Sequence, residues 1–262
     1  MIETHVDRAR TAVEREREVL SEEGSAYEAF RRRVESLSAA EMGRNAGVGG
    51  TQGGVATRTA HGDTSGGACE AVREAFAETV RPYSVDDVGD EPLLETIREE
   101  LGDGIALALA PTTETAFTPQ TKGAILTAAR ERRRGIDATI DALDSEAESL
   151  RTVGKAVGEI TDWLAAAEET PLSELGFDEL RERHDRLAEF RDRCERLLDD
   201  RQELLLRTTG RNQSADVSHR SLVRYLYSSL PVVYPVLSTV ARLYDVLGEC
   251  QRAVRASLTR RV

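Results

Sequence analysis

The sequence predicts an all-α protein, an elongated antiparallel helical bundle or coiled coil with a small helical subdomain. Three observations carry the prediction. Alanine supplies 32 of the 262 residues while only 5% are aromatic, and alanine is the best helix former although it fills little volume. Apolar residues recur at spacings of three and four over long stretches, the period of one helix face. No run alternates with the period of two that a half-buried strand needs.

The first element is a heptad helix within residues 1–37. From Ile2 the positions Val6, Ala9, Val13, Glu16, Leu20, Glu23, Tyr27, Phe30, Val34 and Leu37 advance by four and three. Only Glu16 and Glu23 break the apolar stripe, and glutamate and arginine occupy the other faces, as in a coiled-coil helix. Gly24 is the weak point, costing about 1 kcal/mol relative to alanine. Residues 38–67 then hold nine of the 20 glycines. This composition predicts a flexible linker, because it offers little apolar surface to offset the entropy of ordering it.

Residues 68–262 read as the helical bundle. Short helices fill 68–117. One carries Val72, Phe76 and Val80 on a face and is stopped by Pro82; another opens at Asp90 with Pro92 in its first turn; Gly102 and Gly104 separate it from the apolar run Ile105–Ala110. Three long helices follow at 119–169, 178–207 and 219–258. The first opens at Thr118-Pro119, and its stripe runs through Ile125, Ala129, Ile136, Leu143, Leu150 and Ile160, with Arg132 and Gly154 as exceptions. The second, capped by Asp178, places Leu187, Phe190, Cys194, Leu197 and Leu204 at core positions. The third is capped by Ser218 and kinked by Pro231 and Pro235, each of which removes a backbone hydrogen bond.

Charge narrows the function. There are 47 acidic and 35 basic residues, a formal net charge of −12, and only Lys122 and Lys155 among the cations are lysine. An acidic surplus with arginine in place of lysine fits a protein of a salt-accumulating archaeon, kept soluble by self-repulsion where salt screens charge over about 3 Å at 1 M. The same balance argues against a non-specific polyanion binder. Cys69, Cys194 and Cys250 lie far apart, which fits buried thiols in a reducing cytoplasm. The uncharged stretch Tyr225–Ala241 contains two prolines and four serine or threonine residues, so it reads as a buried helix and not as a membrane span, which needs about 20 mainly apolar residues.

Chemistry-bearing patterns are few. Gly-rich residues 43–54 are not framed as a phosphate loop. His5, His61, His184 and His219 show no metal-ligand spacing; His184 reads as a solvated imidazole and His219 as the first residue of a capped helix. Glu159, Asp162 and Glu169 are the carboxylates that could act as ligands, but no Glu-x-x-His pair accompanies them. Arg31–Arg33, Arg132–Arg134 and the group at Arg252, Arg255, Arg260 and Arg261 sit among acids, as ion-paired helix faces do. Arg132 stands out because it falls on the apolar stripe, where it should reach the edge of the bundle or pair with an acid. Trp163 and the tyrosines 225, 227, 234 and 244 read as packed aromatics or interface residues.

The segment His5-Val6-Asp7-Arg8-Ala9-Arg10, together with Tyr27-Glu28-Ala29-Phe30, Ala77–Tyr83, Phe117-Thr118-Pro119 and Tyr225-Leu226-Tyr227…Tyr234-Pro235-Val236-Leu237, resembles an uncharacterised haloarchaeal family of coiled-coil-rich helical proteins. The resemblance covers nearly the whole chain outside the Gly-rich segment. It implies no activity, and no functional residue is carried over from it.

The sequence therefore predicts a non-enzymatic, cytoplasmic interaction or scaffold protein, with no catalytic residue, cofactor or metal. The candidate interaction stripe is Val6, Val13, Leu20, Tyr27, Phe30 and Val34, and the expected partner is a second copy or another helical protein. Two alternatives come from other classes: a nucleic-acid-associated regulator using an arginine-lined face, and a peripheral membrane protein using Tyr225–Ala241.

Overall fold

A computed structural model describes residues 5–39, 64–84, 91–113, 116–209 and 217–260. Most of the Gly-rich segment, Asp90 and most of the 208–217 loop lie outside these residues. Among them the fold is all-α apart from one two-residue antiparallel pairing, β1 (Thr208–Thr209) with β2 (Val217–Ser218). The chain divides into two compact units: unit 1 comprises Met1–Glu18 and Ala138–Val262, unit 2 comprises Val19–Asp137. Two long helices, α1 (His5–Ser36) and α6 (Pro119–Glu168), contribute to each.

Unit 2 adds the short helices α2 (Thr64–Thr79), α3 (Arg81–Ser84), α4 (Leu93–Leu101) and α5 (Asp103–Leu109). Helix α2 begins at Thr64, so the last four residues expected for the linker, Gly66 and Gly67 among them, fall inside it. The core centres on Phe30 of α1, which packs edge-on against Phe76 of α2 with ring centroids 5.6 Å apart. Helices α4 and α5 meet at Gly102, whose φ of 98° is the only positive one among the described residues. A side chain rarely adopts that backbone, so glycine lets two helices abut with a single residue between them. At the start of α6 the Thr118 hydroxyl accepts from the Thr121 N–H at 3.1 Å, the N-cap that Thr118-Pro119 predicts. At the end of α1, Lys122 donates to the carbonyls of Glu35 and Leu37, both at 2.7 Å. A cation there satisfies terminal acceptors and opposes the negative end of the helix dipole.

Unit 1 is built on α6, α7 (Phe177–Leu206), α8 (His219–Leu226) and α9 (Pro235–Thr259). Helix α7 starts one residue before the expected cap Asp178, because Glu179 reaches back to accept the Gly176 N–H at 2.6 Å and thereby fixes Gly176 as the N-cap. Contacts set the helix directions. Glu159 pairs with Arg193 and Glu146 with Arg201, so α6 and α7 run in opposite senses. Arg191 reaches both Tyr244 and Gln251, and Tyr244 bonds Glu195, so α7 and α9 do the same. Buried Leu187, Cys194, Val240, Leu247 and Val254 line these helices; each aliphatic side chain buried this way contributes about 1.5–3 kcal/mol.

The kink expected in one helix over 219–258 is a complete interruption. Helix α8 stops at Leu226, residues 227–234 form turns, and α9 starts with Pro235 in its first turn. Two prolines four residues apart remove two donors from one stretch of helix, and Pro235 is tolerated where no intrahelical donor is needed. Tyr225–Ala241 is thus not one helix, and among the described residues no helix is long and apolar enough to cross a membrane.

Candidate functional site

The six-residue stripe on α1 faces inward within its own chain. Val6, Val13, Tyr27, Phe30 and Val34 are buried, and Leu20 is half-buried. In unit 1 a Cβ built on Gly154 would lie 3.8 Å from Val6, and Arg17 pairs with Asp144 at 2.6 Å. In unit 2 Gly24 lies against Arg133 and the Leu37 carbonyl on Lys122, while Arg33 pairs with Glu78 of α2 at 2.5 Å. The order of these contacts makes α1 and α6 antiparallel in each unit. The glycine that interrupts the α6 stripe, Gly154, therefore lies where α1 passes closely.

Two residues that break the apolar pattern meet each other. Glu23 of α1 and Arg132 of α6 approach to 3.8 Å, and Arg132 is held more tightly by Glu100 of α4, at 2.8 Å. The Tyr27 hydroxyl donates to the same Glu100 carboxylate at 2.5 Å. Burial, then the Glu100 charge, hold the Tyr27 phenol well above its ordinary range, so it stays a donor. This network ties three helices of unit 2 at one point. The pairing that the position of Arg132 predicted is present.

Unit 1 holds a more deeply buried network that sequence reasoning did not find. Glu146 of α6 is 0% exposed and Arg201 of α7 is 2% exposed. Arg201 donates through both terminal nitrogens, Nη1 to Oε2 at 2.6 Å and Nη2 to Oε1 at 2.9 Å. His219, the first residue of α8, contacts Oε2 at 2.8 Å through Nε2, and Tyr227, just past α8, donates to Oε1 at 2.5 Å. Four donors thus fill the four acceptor sites of one carboxylate, and an ionised carboxylate only accepts, so the proton of a neutral His219 sits on Nε2. Burial alone would raise the Glu146 pKa; the bonds from His219, Arg201 and Tyr227 and the Arg201 charge outweigh it and lower it from 4.5 to about 2. Burial and the adjacent carboxylate push the Tyr227 phenol far up. Arg201 Nε remains buried without a hydrogen bond among the described residues.

A signal for half of this network lay in the heptad register. Residue 201 is the core position between Leu197 and Leu204, and Glu146 follows Leu143 by three and precedes Leu150 by four. A carboxylate and a guanidinium at core positions of two facing helices is the pattern of a buried pair. Nothing comparable marks His219 or Tyr227, because their approach depends on the loop and the break that shape α8.

The remaining candidates are dispersed. Glu159 is exposed and pairs with Arg193, and Arg186 stacks on Phe190, which Trp163 meets edge-on at 5.3 Å. Asp162 and Glu169 are exposed, and His184 meets the neighbouring Asp185, at 3.5 Å. Tyr225 is exposed, Tyr234 meets Arg220, and Tyr244 lies under the Arg191 guanidinium. Cys69 and Cys194 are buried and Cys250 is half-buried. Among the described residues no group of three or more His, Cys, Asp or Glu side chains is placed to hold a metal ion.

These features define an all-α protein of two helical units, each pinned by a carboxylate–guanidinium–tyrosine network. Residues 4–251 match the model of a domain of unknown function, DUF7260, and the chain belongs to that family. No curated protein and no solved structure was found to match it.

Proposed function

We propose that the protein is a non-enzymatic helical interaction or scaffold protein that self-associates through α1. In this reading the long helices form an antiparallel, coiled-coil-like bundle, and α1 of one copy enters the place that α1 occupies in another. The observation that supports it most is the specificity of the α1 seat. An apolar face (Val6, Val13, Tyr27, Phe30, Val34) is accompanied by matched polar contacts to Asp144, Arg132, Glu78 and Lys122. Between α1 and α2 lies a Gly-rich segment running from residue 40 to 63. A seat that reads both shape and charge accepts the same helix from a neighbour, and exchange of an identical element is a low-cost route to dimers.

The surroundings in which this assembly works are part of the proposal. The net charge of −12 and the two lysines against 33 arginines support a cytoplasmic protein of a haloarchaeon, with a second copy or a related helical protein as partner. No observation favours the nucleic-acid or membrane alternative over it. Multi-angle light scattering in multimolar KCl tests the reading. We expect a concentration-dependent species of twice the 28.8 kDa chain mass; a single 28.8 kDa species at every concentration would overturn it.

A further inference from the structure

The geometry points to a binding site for the phosphoryl group of a small molecule on unit 2, between α1 and α6. The two arginine triplets of the sequence, 31–33 and 132–134, are a hundred residues apart, yet the fold brings members of both to one cleft of about 280 Å³. Arg31, Arg130, Arg133 and Arg134 line it together with Tyr27, Ala129 and Glu28. Four guanidinium groups around one cavity form an unusual concentration of positive charge in a chain of net charge −12.

Three acids answer those four cations. Glu28 bonds Arg31 at 2.8 Å and also Arg32, Glu35 bonds Arg31 and lies 3.4 Å from Arg130, and Asp137 holds Arg133 at 2.9 Å. Arg134 touches no acid among the described residues; its Nε donates to the Arg130 carbonyl at 3.3 Å. One cation is therefore left over, and Arg130 is only loosely engaged. An arginine fork presents paired donors that match the oxygens of a phosphoryl group, and such charge-assisted bonds are about twice as strong as neutral ones. The cleft is close to the smallest sites that bind small molecules, about 300 Å³, a size that suits a diphosphate or a compact phosphate ester.

Gly24 gives a second, independent sign that the site is built. A Cβ at residue 24 would stand 2.5 Å from Arg133 Nη1 and 3.0 Å from its Cζ. Glycine in mid-helix costs about 1 kcal/mol, and here it leaves the room in which the Arg133 guanidinium lies against α1 at the wall of the cleft. The same position that looks like a weak link in the heptad helix is the one that admits an arginine to the cavity.

The test is isothermal titration of the full chain with sodium pyrophosphate and, separately, with inorganic phosphate, each in buffered KCl, with the Arg130→Gln/Arg134→Gln double variant and Gly24→Ala as comparisons. We expect saturable binding, tighter for pyrophosphate, weakened about tenfold or more in the double variant and weakened in G24A, with the thermal melts of both variants close to that of the parent chain. Tighter binding of phosphate than of pyrophosphate would retain the site and reduce its ligand to a monophosphate. Absence of saturable binding, binding that the double variant retains, or loss only in a variant whose melt has collapsed, would overturn the assignment.

Discussion

Replacing Glu146 by glutamine should destabilise unit 1 by about 3–5 kcal/mol, because it leaves the Arg201 charge buried without its counter-ion. The carboxylate accepts four hydrogen bonds at 2.5–2.9 Å, and the guanidinium that supplies two of them is 2% exposed. A glutamine side chain offers one acceptor oxygen and turns a donor toward the remaining partners. Trp163 is the only tryptophan of the chain and packs on Phe190 in the same unit, so its fluorescence reports this unfolding directly. The urea midpoint should fall with little change in slope, which would mark a loss of stability without a change in the surface exposed. The E146L/R201M pair should recover part of the loss, since apolar residues replace a buried ion pair at small cost, while His219 and Tyr227 still lack an acceptor. A loss below about 1 kcal/mol in E146Q, the range of exposed pairs, would mean that the network does not hold the helices.

Acid should undo the same network within a defined window. The folded-state pKa of Glu146 is about 2, below the ordinary 4.5. A depressed carboxylate contributes stability that is complete above its unfolded pKa and is lost as pH falls through its folded pKa. Each pH unit between the two values is worth about 1.4 kcal/mol, so the contribution is about 3 kcal/mol, present above about pH 5 and gone near pH 2. Glu28 is also lowered to about 2, by its hydrogen bond to Arg31, but it is only half-buried and belongs to the other unit. Comparing the parent chain with E146Q by Trp163 fluorescence therefore isolates the buried group: the difference in stability should be widest above pH 5 and close between pH 4.5 and about 2. A difference that stays constant across this range would contradict the assignment of the window to Glu146.

Local rules made most of the helices readable from the chain itself. Heptad spacing located α1 and α7, and Thr118-Pro119 and Ser218 marked helix starts because their hydroxyls accept from backbone N–H groups three residues on. The breaks needed more. The sequence predicts only a kink at Pro231 and Pro235, since the cost of a proline inside a helix depends on packing that the chain does not display, and the structure settles that choice as a full break. The polar networks were half legible. Glu23 and Arg132 announce themselves as exceptions on apolar stripes, and each exception answers the other. Glu146 was hidden by a small ambiguity of register: the stripe of α6 reads almost as well through Ala147 as through residue 146, and alanine gives no strong apolar signal to decide it. His219 and Tyr227 come to the carboxylate through tertiary placement alone. Of the arginine cleft, the sequence displays the two triplets but not their meeting, which depends on the antiparallel register of α1 on α6.

Self-association through α1 is tested most directly by a disulfide between chains. Val6 Cγ1 lies 3.8 Å from a Cβ built on residue 154, so side chains at these two positions meet and a cysteine at each brings the two sulfurs together. One chain would carry Val6→Cys and another Gly154→Cys, each with Cys69, Cys194 and Cys250 changed to alanine. Unfolded together, refolded in multimolar KCl and oxidised, the mixture should yield a linked species of twice the 28.8 kDa chain mass that neither chain forms alone. If the two single variants stay unlinked while a chain bearing both cysteines closes on itself as a monomer, α1 belongs to its own chain and the proposed assembly through it is wrong.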